Sequence, residues 1–293
     1  MESTNRRKHT GSAPVHPGNP SWELFDDQAP VFERRAGLPD HFCRDIAEAI
    51  VATGDVQAGD LIAEIGPGTG QVGQWFAANA RYAGFDLSAG MLREFRRCLA
   101  GRSGNDAGAN AGNPALVQAD ANRCWPLADG AARVVFSSRA MHLLDHEHVA
   151  SEVFRVASRR GATLILGRVE RKHDSTRTRM AQEMIERLRQ HGFQGRRGER
   201  QNRKLIDACC ERGAEPLELI TVASWKVSSS PRQSLDSWRC LTGLGGVPVP
   251  PQVRDEILHE LEGWAQQEFG GLDREFESEE DYVLRSLRVP AAK

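Results

Sequence analysis

Nowhere in the 293 residues does an apolar run approach the roughly 20 that cross a membrane. The chain has no C-x-x-C pair either: Cys43, Cys98, Cys124, Cys209, Cys210 and Cys240 are scattered. That spacing argues against a zinc site or a disulfide framework and for reduced thiols in the cytoplasm. An excess of one charge is also missing, since a net charge of −2 is far from the basic balance of a dedicated nucleic-acid binder. The opening MESTNRRKHT is basic but lacks the apolar segment of a secretory signal. Together these absences lead to the expectation of a water-soluble cytoplasmic protein with no membrane partner, no nucleic-acid partner and no metal. What is present is an ordinary 40% of apolar residues, enough to bury a substantial core.

The most informative stretch is LIAEIGPGTG, residues 61–70. A short apolar run closed by spaced glycines predicts a buried parallel strand that turns into a helix. That helix is expected from about Thr69, with Val72, Trp75 and Phe76 on its inner face. Glycines allow unusual backbone angles and let a ligand approach the main chain closely, which is the physical basis of a nucleotide-binding turn. Gly68, Gly70 and Gly73 spell the dinucleotide pattern G-x-G-x-x-G. Glu64, Gly66, Gly68 and Gly70 spell E-x-G-x-G-x-G, and its acidic position does not belong to the dinucleotide pattern.

Downstream, strand and helix patterns alternate from 61 to 167, which predicts a doubly wound parallel sheet. Expected strands are 82–85, 115–119, 133–136 and 162–167, with helices from Ser88 and over 146–158. Asp86 closes the second strand, where an acid can accept hydrogen bonds from both ribose hydroxyls under either cofactor reading. Asp120 follows the third strand. Ser137 to Met141 close the fourth, at the strand ends where ligands bind in open α/β sheets.

The E-x-G-x-G-x-G motif resembles the first motif of the class I S-adenosylmethionine-dependent methyltransferases, and the rest of the chain is similar to their small-molecule type. The resemblance implies a seven-stranded, mainly parallel α/β sheet with the last strand antiparallel beside the sixth, plus N-terminal helices and a helical lid. It implies S-adenosylmethionine as cofactor, S-adenosylhomocysteine as product, and a small-molecule acceptor whose methylated atom is left open. Under it, the loop of Gly66, Gly68 and Gly70 lies beneath the methionine part and Glu64 helps to hold the ammonium. Asp86 and Leu87 serve the ribose, Met91 touches the adenine, and Asp120 and Ala121 meet its amino group and a ring nitrogen. Ser137 completes the cofactor set. The F-D-x-x-A-x-x-F segment makes Phe25 and Phe32 lid candidates. The N/D-P-P-Y/F signature of nucleic-acid amine methylation is replaced by Ser137, Ser138, Arg139 and Ala140.

Catalysis or acceptor contact is expected at His142 and Arg139. The alternatives are that His142 packs or caps a helix and that Arg139 pairs with a local acid. Residues 168–204 carry twelve Lys/Arg against five Asp/Glu, with Met180 and Met184 marking a lid helix. That basic run can hold an anionic group of the acceptor, or can pair with residues 251–281, where eleven acids face two arginines. The expected organisation is a single domain: a disordered tail over 1–20, N-terminal helices and lid over 21–60, and a cofactor-binding core over 61–167. A basic lid insertion over 168–204 and a sheet-completing, capping segment over 205–293 follow. Cofactor retention without methyl transfer, a nicotinamide-dependent oxidoreductase and a protein or RNA methyltransferase are the alternatives.

Overall fold

The computed structural model describes residues 37–78, 80–102, 114–195, 198–241 and 243–291. The expected tail, the lid aromatics Phe25 and Phe32, and most of the glycine- and asparagine-rich loop at 101–113 lie outside them.

Helix α1 (Asp40–Thr53) follows Pro39, and strand β1 (Leu61–Ile65) is buried along its whole length. Then come β2 (Arg81–Asp86), α2 (Ala89–Arg102), β3 (Ala115–Gln118), β4 (Ala132–Ser138) and α3 (His146–Val156). Strand β5 (Ala162–Arg171) leads to α4 (Thr176–Gln190) and α5 (Gly198–Glu211). The C-terminal part holds β6 (Glu215–Pro216), β7 (Ile220–Ser229) and α6 (Pro231–Arg239). A two-stranded hairpin of β8 (Gly243–Leu244) and β9 (Val247–Pro248), then α7 (Pro251–Glu268) and β10 (Phe276–Val289), complete it.

The main sheet runs β3-β2-β1-β4-β5-β10-β6, with β7 also paired to β10. Strands β1 to β5 are mutually parallel, and β10 is antiparallel to β5 and β7. This is the expected α/β sheet with its last strand inserted antiparallel. The expected sixth strand, 217–227, is found as β7 over 220–229, and the separate two-residue β6 ahead of it makes the sheet eight-stranded. One face packs on α3 and α5 through Val149, Val153, Leu205 and Cys209. The other packs on α1 and α2 through Ile46, Ile50 and Phe95.

Several boundaries move. The helix expected from Thr69 is a short 3-10 segment, Gly73–Ala78. Positive φ at Gly66, Gly68 and Gly70 keeps the chain out of helical geometry until after the loop. Arg81 N donates to Asp60 O at 2.9 Å, which returns the chain to the sheet and leaves too few residues for a longer helix. Val72 and Phe76 are buried all the same, as their spacing predicts. Strand β5 continues past 167 to Arg171, since β10 pairs with it from Ala162 to Arg171. Arg168 is therefore sheet, and the inserted segment begins after Arg171. Helix α5 starts at Gly198, well before the Leu205 that its pattern suggests, whereas α7 lies within one residue of the expected 252–269.

Helices α4, α6 and α7 form a cap with its own core, in which Met180, Leu188, Leu235, Ile257 and Leu261 are fully buried. Met180 and Met184, expected at the acceptor, hold this cap together and border neither of the two cavities described below. Their helical spacing signalled a buried face, and the face belongs to the cap core. Truncating Met180→Ala is predicted to lower the unfolding free energy by about 2–5 kcal/mol, measured by chemical denaturation followed by tryptophan fluorescence. An unchanged midpoint would mean that the cap is not part of the cooperative fold.

Candidate functional site

The loops that follow β1, β2, β3 and β4 surround a cavity of about 380 Å³. Its first wall is the glycine loop. Gly66 N donates to Phe85 O at 3.0 Å, which docks the start of the loop on β2. Gly66 has φ +66, and a Cβ there would lie 2.5 Å from the Cβ of Ala140. Gly68 also has positive φ, and a Cβ on it would meet nothing within 4 Å, so it borders the open cavity. Gly70 does not border the cavity: a Cβ there would fall 2.0 Å from the ring of Phe95. Its positive φ and missing side chain serve packing on α2.

Asp86 joins two of the loops. Its Oδ2 accepts from Gly68 N at 3.0 Å and its Oδ1 from Ser88 N at 2.9 Å. Each carboxylate oxygen has a second lone pair, so the group can also accept from a ligand. Ser88 caps α2 by accepting from Met91 N at 3.1 Å, which leaves Asp86 and Leu87 at the cavity instead of in a capping role. Met91, Asp120 and Ala121 line the same cavity, and Asp120 Oδ1 accepts from Asn122 N at 2.9 Å.

Glu64 lies beneath the loop and is 2% exposed. Tyr82 Oη donates to Glu64 Oε2 at 2.7 Å. Burial pushes the Glu64 carboxyl up to about 8, the Tyr82 hydrogen bond works against this, and nearby Asp86 adds to it. The Tyr82 hydroxyl is raised above its usual range, first by burial and then by the charge of Glu64. A Cβ at Gly73 would stand 2.5 Å from Tyr82 Oη and 2.6 Å from Glu64 Oε2, and one at Gly84 would stand 2.7 Å from Tyr82 Oη. The last glycine of the dinucleotide spelling is thus accounted for by room for the Glu64–Tyr82 pair.

Beyond β4, Arg139 has φ +65, a conformation uncommon outside glycine. It lines the first cavity and also a second one of about 500 Å³, which is bounded by the ends of β4 and β5 and by α4 and α5. Ser137, expected at the cofactor, borders only the second cavity, and its hydroxyl donates to Ile65 O at 2.8 Å. The neighbouring Ser138 borders the first instead, as alternation along a strand requires. Ser138 Oγ accepts from the buried Tyr282 hydroxyl of β10 at 2.9 Å. Gly167 makes room for that tyrosine, because a Cβ there would lie 2.1 Å from Tyr282 Oη. His142 falls in a 3-10 turn, Met141–Leu143, and its side chain lies outside the described residues.

Three contributors escaped sequence reasoning. Gln71 clasps Leu38, accepting from its N at 3.0 Å and donating to its O at 3.3 Å, and so holds Leu38 at the first cavity. Tyr282 reaches the site from the far end of the chain, with no local signal. His173 borders the second cavity from the loop after β5. Only its place just past a strand end could have marked it.

The Glu64 carboxyl yields a pH prediction. Its folded value of about 8 exceeds the ordinary 4.5, so between these values the folded state keeps a proton that the unfolded chain has released. Its contribution is therefore full below about pH 4.5 and is lost as pH rises through about 8. Glu64→Gln is predicted to leave thermal stability near wild type at acid pH and to raise it increasingly toward alkaline pH. Parallel melting-temperature curves for the two proteins would refute a buried, proton-holding carboxyl.

The family described as Methyltransferase domain matches residues 63–165. Among solved structures, a candidate methyltransferase from Bacillus halodurans C-125 is similar at 18% identity and TM-score 0.54, over 83% of this chain and 98% of that one. The [4+2]-cyclase SpnF is similar at 17% identity and TM-score 0.55, over 95% and 98%. The YcgJ protein from Bacillus subtilis is similar at 16% identity and TM-score 0.51, over 83% and 97%. At such identities these likenesses establish the shared fold. No curated protein sequence matches the chain significantly. Residues 63–165 are thus similar to a methyltransferase domain, on a fold that the chain shares with solved methyltransferase structures.

Proposed function

We propose that the chain transfers a methyl group from S-adenosylmethionine, held in the cavity of the glycine loop, to a small molecule held in the second cavity. The observation that carries this reading is that Arg139 lines both cavities, so two ligands would meet at the end of β4. The first cavity suits the cofactor by its set of acceptors. Glu64, Asp86 and Asp120 are three carboxyls at three successive strand ends. They match the ammonium, the ribose hydroxyls and the adenine amino group of S-adenosylmethionine, while Leu87 and Met91 offer apolar contact. When bound, the cofactor supplies an electrophilic methyl on a sulfonium.

What the protein contributes is position and exclusion of water. Ser138, fixed by Tyr282, and Arg139 form the boundary that the methyl group crosses. His142, just after that boundary, is proposed to take the proton of a hydroxyl or ammonium acceptor. His173 borders the acceptor cavity directly and is the rival for this role. His142→Ala is predicted to lower turnover far more than cofactor affinity, and turnover kept in that variant but lost in His173→Ala would move the role to His173.

A second reading keeps the cofactor without transferring methyl. It is favoured by one fold likeness, since the similar SpnF structure is of a [4+2]-cyclase. Calorimetry with S-adenosylmethionine, S-adenosylhomocysteine and NAD separates these readings from an oxidoreductase. Binding of both sulfur nucleosides with NAD silent is expected. Binding of NAD alone would overturn the cofactor assignment, and bound S-adenosylmethionine that is never consumed across an acceptor screen would favour the second reading.

Asp86→Ala is predicted to weaken S-adenosylhomocysteine by about 1.5–3 kcal/mol, roughly ten- to a hundred-fold. Unchanged affinity would mean that the ribose lies elsewhere.

A further inference from the structure

We propose that Tyr82 is a positioning residue of the first cavity: through Glu64 it selects a ligand that ends in a protonated amine, and the carboxyl gives up its proton as that amine binds. This rests on the proposed placement of S-adenosylmethionine in that cavity. Packing alone explains the ring of Tyr82, which stacks on Phe76 at 5.7 Å and meets Phe95 edge-on at 6.0 Å. A phenylalanine would serve that purpose equally. The hydroxyl calls for another reason, because two positions around it are kept free of side chains. A Cβ at Gly73 would stand 2.5 Å from Tyr82 Oη, and one at Gly84 would stand 2.7 Å from it. In that space the hydroxyl donates to Glu64 Oε2 at 2.7 Å. Among the described residues, Tyr82 is the one hydrogen-bond partner of this carboxyl, and no cation pairs with it. Oε2 is thus committed to Tyr82, and Oε1 is left for the cavity that Glu64 lines.

The surroundings decide which form of the carboxyl is favoured. Tyr82 and Asp86 face it from β2 and Tyr282 from β10, while Asp120 and Arg139 line the same cavity. Phe136 pairs with Glu64 from β4, and Gly73 of the 3-10 segment and Phe95 of α2 close the space beside it without adding charge. Burial pushes the carboxyl up to about 8 against the pull of the Tyr82 hydrogen bond, and Asp86 adds to the rise. Near neutrality the free protein therefore keeps the proton. An ammonium entering beside Oε1 reverses that preference, since the ion pair and the Tyr82 hydrogen bond both stabilise the carboxylate. The O–H bond of the carboxyl breaks, its proton leaves to solvent, and the ligand's ammonium keeps all of its own protons. One positive charge enters as another leaves, so the net charge of the buried site is unchanged. A ligand without the amine gives the carboxyl no reason to ionise and gains nothing from Tyr82.

The test is calorimetric titration of the full chain from about pH 6 to about pH 8, with S-adenosylhomocysteine and with methylthioadenosine, which lacks the amino-acid end. In the parent protein, the preference for S-adenosylhomocysteine is expected to grow by up to about tenfold per pH unit below about 8. Tyr82→Phe should weaken S-adenosylhomocysteine roughly tenfold at neutral pH, leave methylthioadenosine unaffected and carry the pH dependence further into the alkaline range. Glu64→Gln should abolish the pH dependence of the preference, and Tyr82→Phe added to it should change the preference no further. A preference in the parent that does not vary with pH overturns the proposal, whether or not Tyr82→Phe folds. So does a Tyr82→Phe protein that keeps the parent's preference and pH profile, or one that weakens both ligands alike. If neither ligand binds the parent, the cofactor placement itself falls and this proposal with it. Binding of both without a preference for the amine removes this proposal alone.

Discussion

Asp86 accepts two backbone hydrogen bonds, from Gly68 and from Ser88, and the rest of the site depends on that junction. It ties the loop after β1 to the loop after β2 and sets the mouth of the cavity between them. Beneath it, the Glu64–Tyr82 pair fills the space under the glycine loop. Gly73 and Gly84 are spaces cleared for that pair, since a side chain at either would strike the Tyr82 hydroxyl. The turn therefore combines two uses of glycine. Gly66 and Gly68 take positive φ at the edge of the cavity, while Gly70 and Gly73 admit neighbouring side chains.

The opposite wall is built on a different principle. Strand β4 ends in Ser137 and Ser138, which point to opposite sides: one fastens to β1 and the other to Tyr282 on β10. The chain then kinks through a left-handed Arg139. This arrangement brings the last strand, remote in sequence, to the wall of the first cavity. It also explains Gly167, whose missing side chain leaves room for the tyrosine ring.

Part of the basic run and the acidic C-terminal segment attract each other. Pairs between 168–191 and the acids of α7 and β10 fasten α4 over the sheet edge. Such exposed pairs each contribute little to stability. Their collective effect is orientation of the cap, whose apolar core supplies the cohesion.

The order of strands and helices from 61 to 167 was legible because each buried strand and each amphipathic helix carries its own periodicity. So were Glu64, Gly66, Gly68, Asp86, Met91, Asp120 and Ala121 at one cavity, since local motifs at successive strand ends converge whenever strands run parallel. Other features were invisible because they depend on partners far away in the chain. The 3-10 segment after the loop is set by where β2 must begin, the length of β5 by its pairing with β10, and the burial of Met180 and Met184 by α7. Gly70 and Ser137 do not border the first cavity, because a motif specifies a residue type, whereas the face it presents is decided by what packs against it. Local pattern alone determined the domain type and the ends at which ligands gather. Which side chains border the two cavities, and that Arg139 borders both, was decided only by long-range packing.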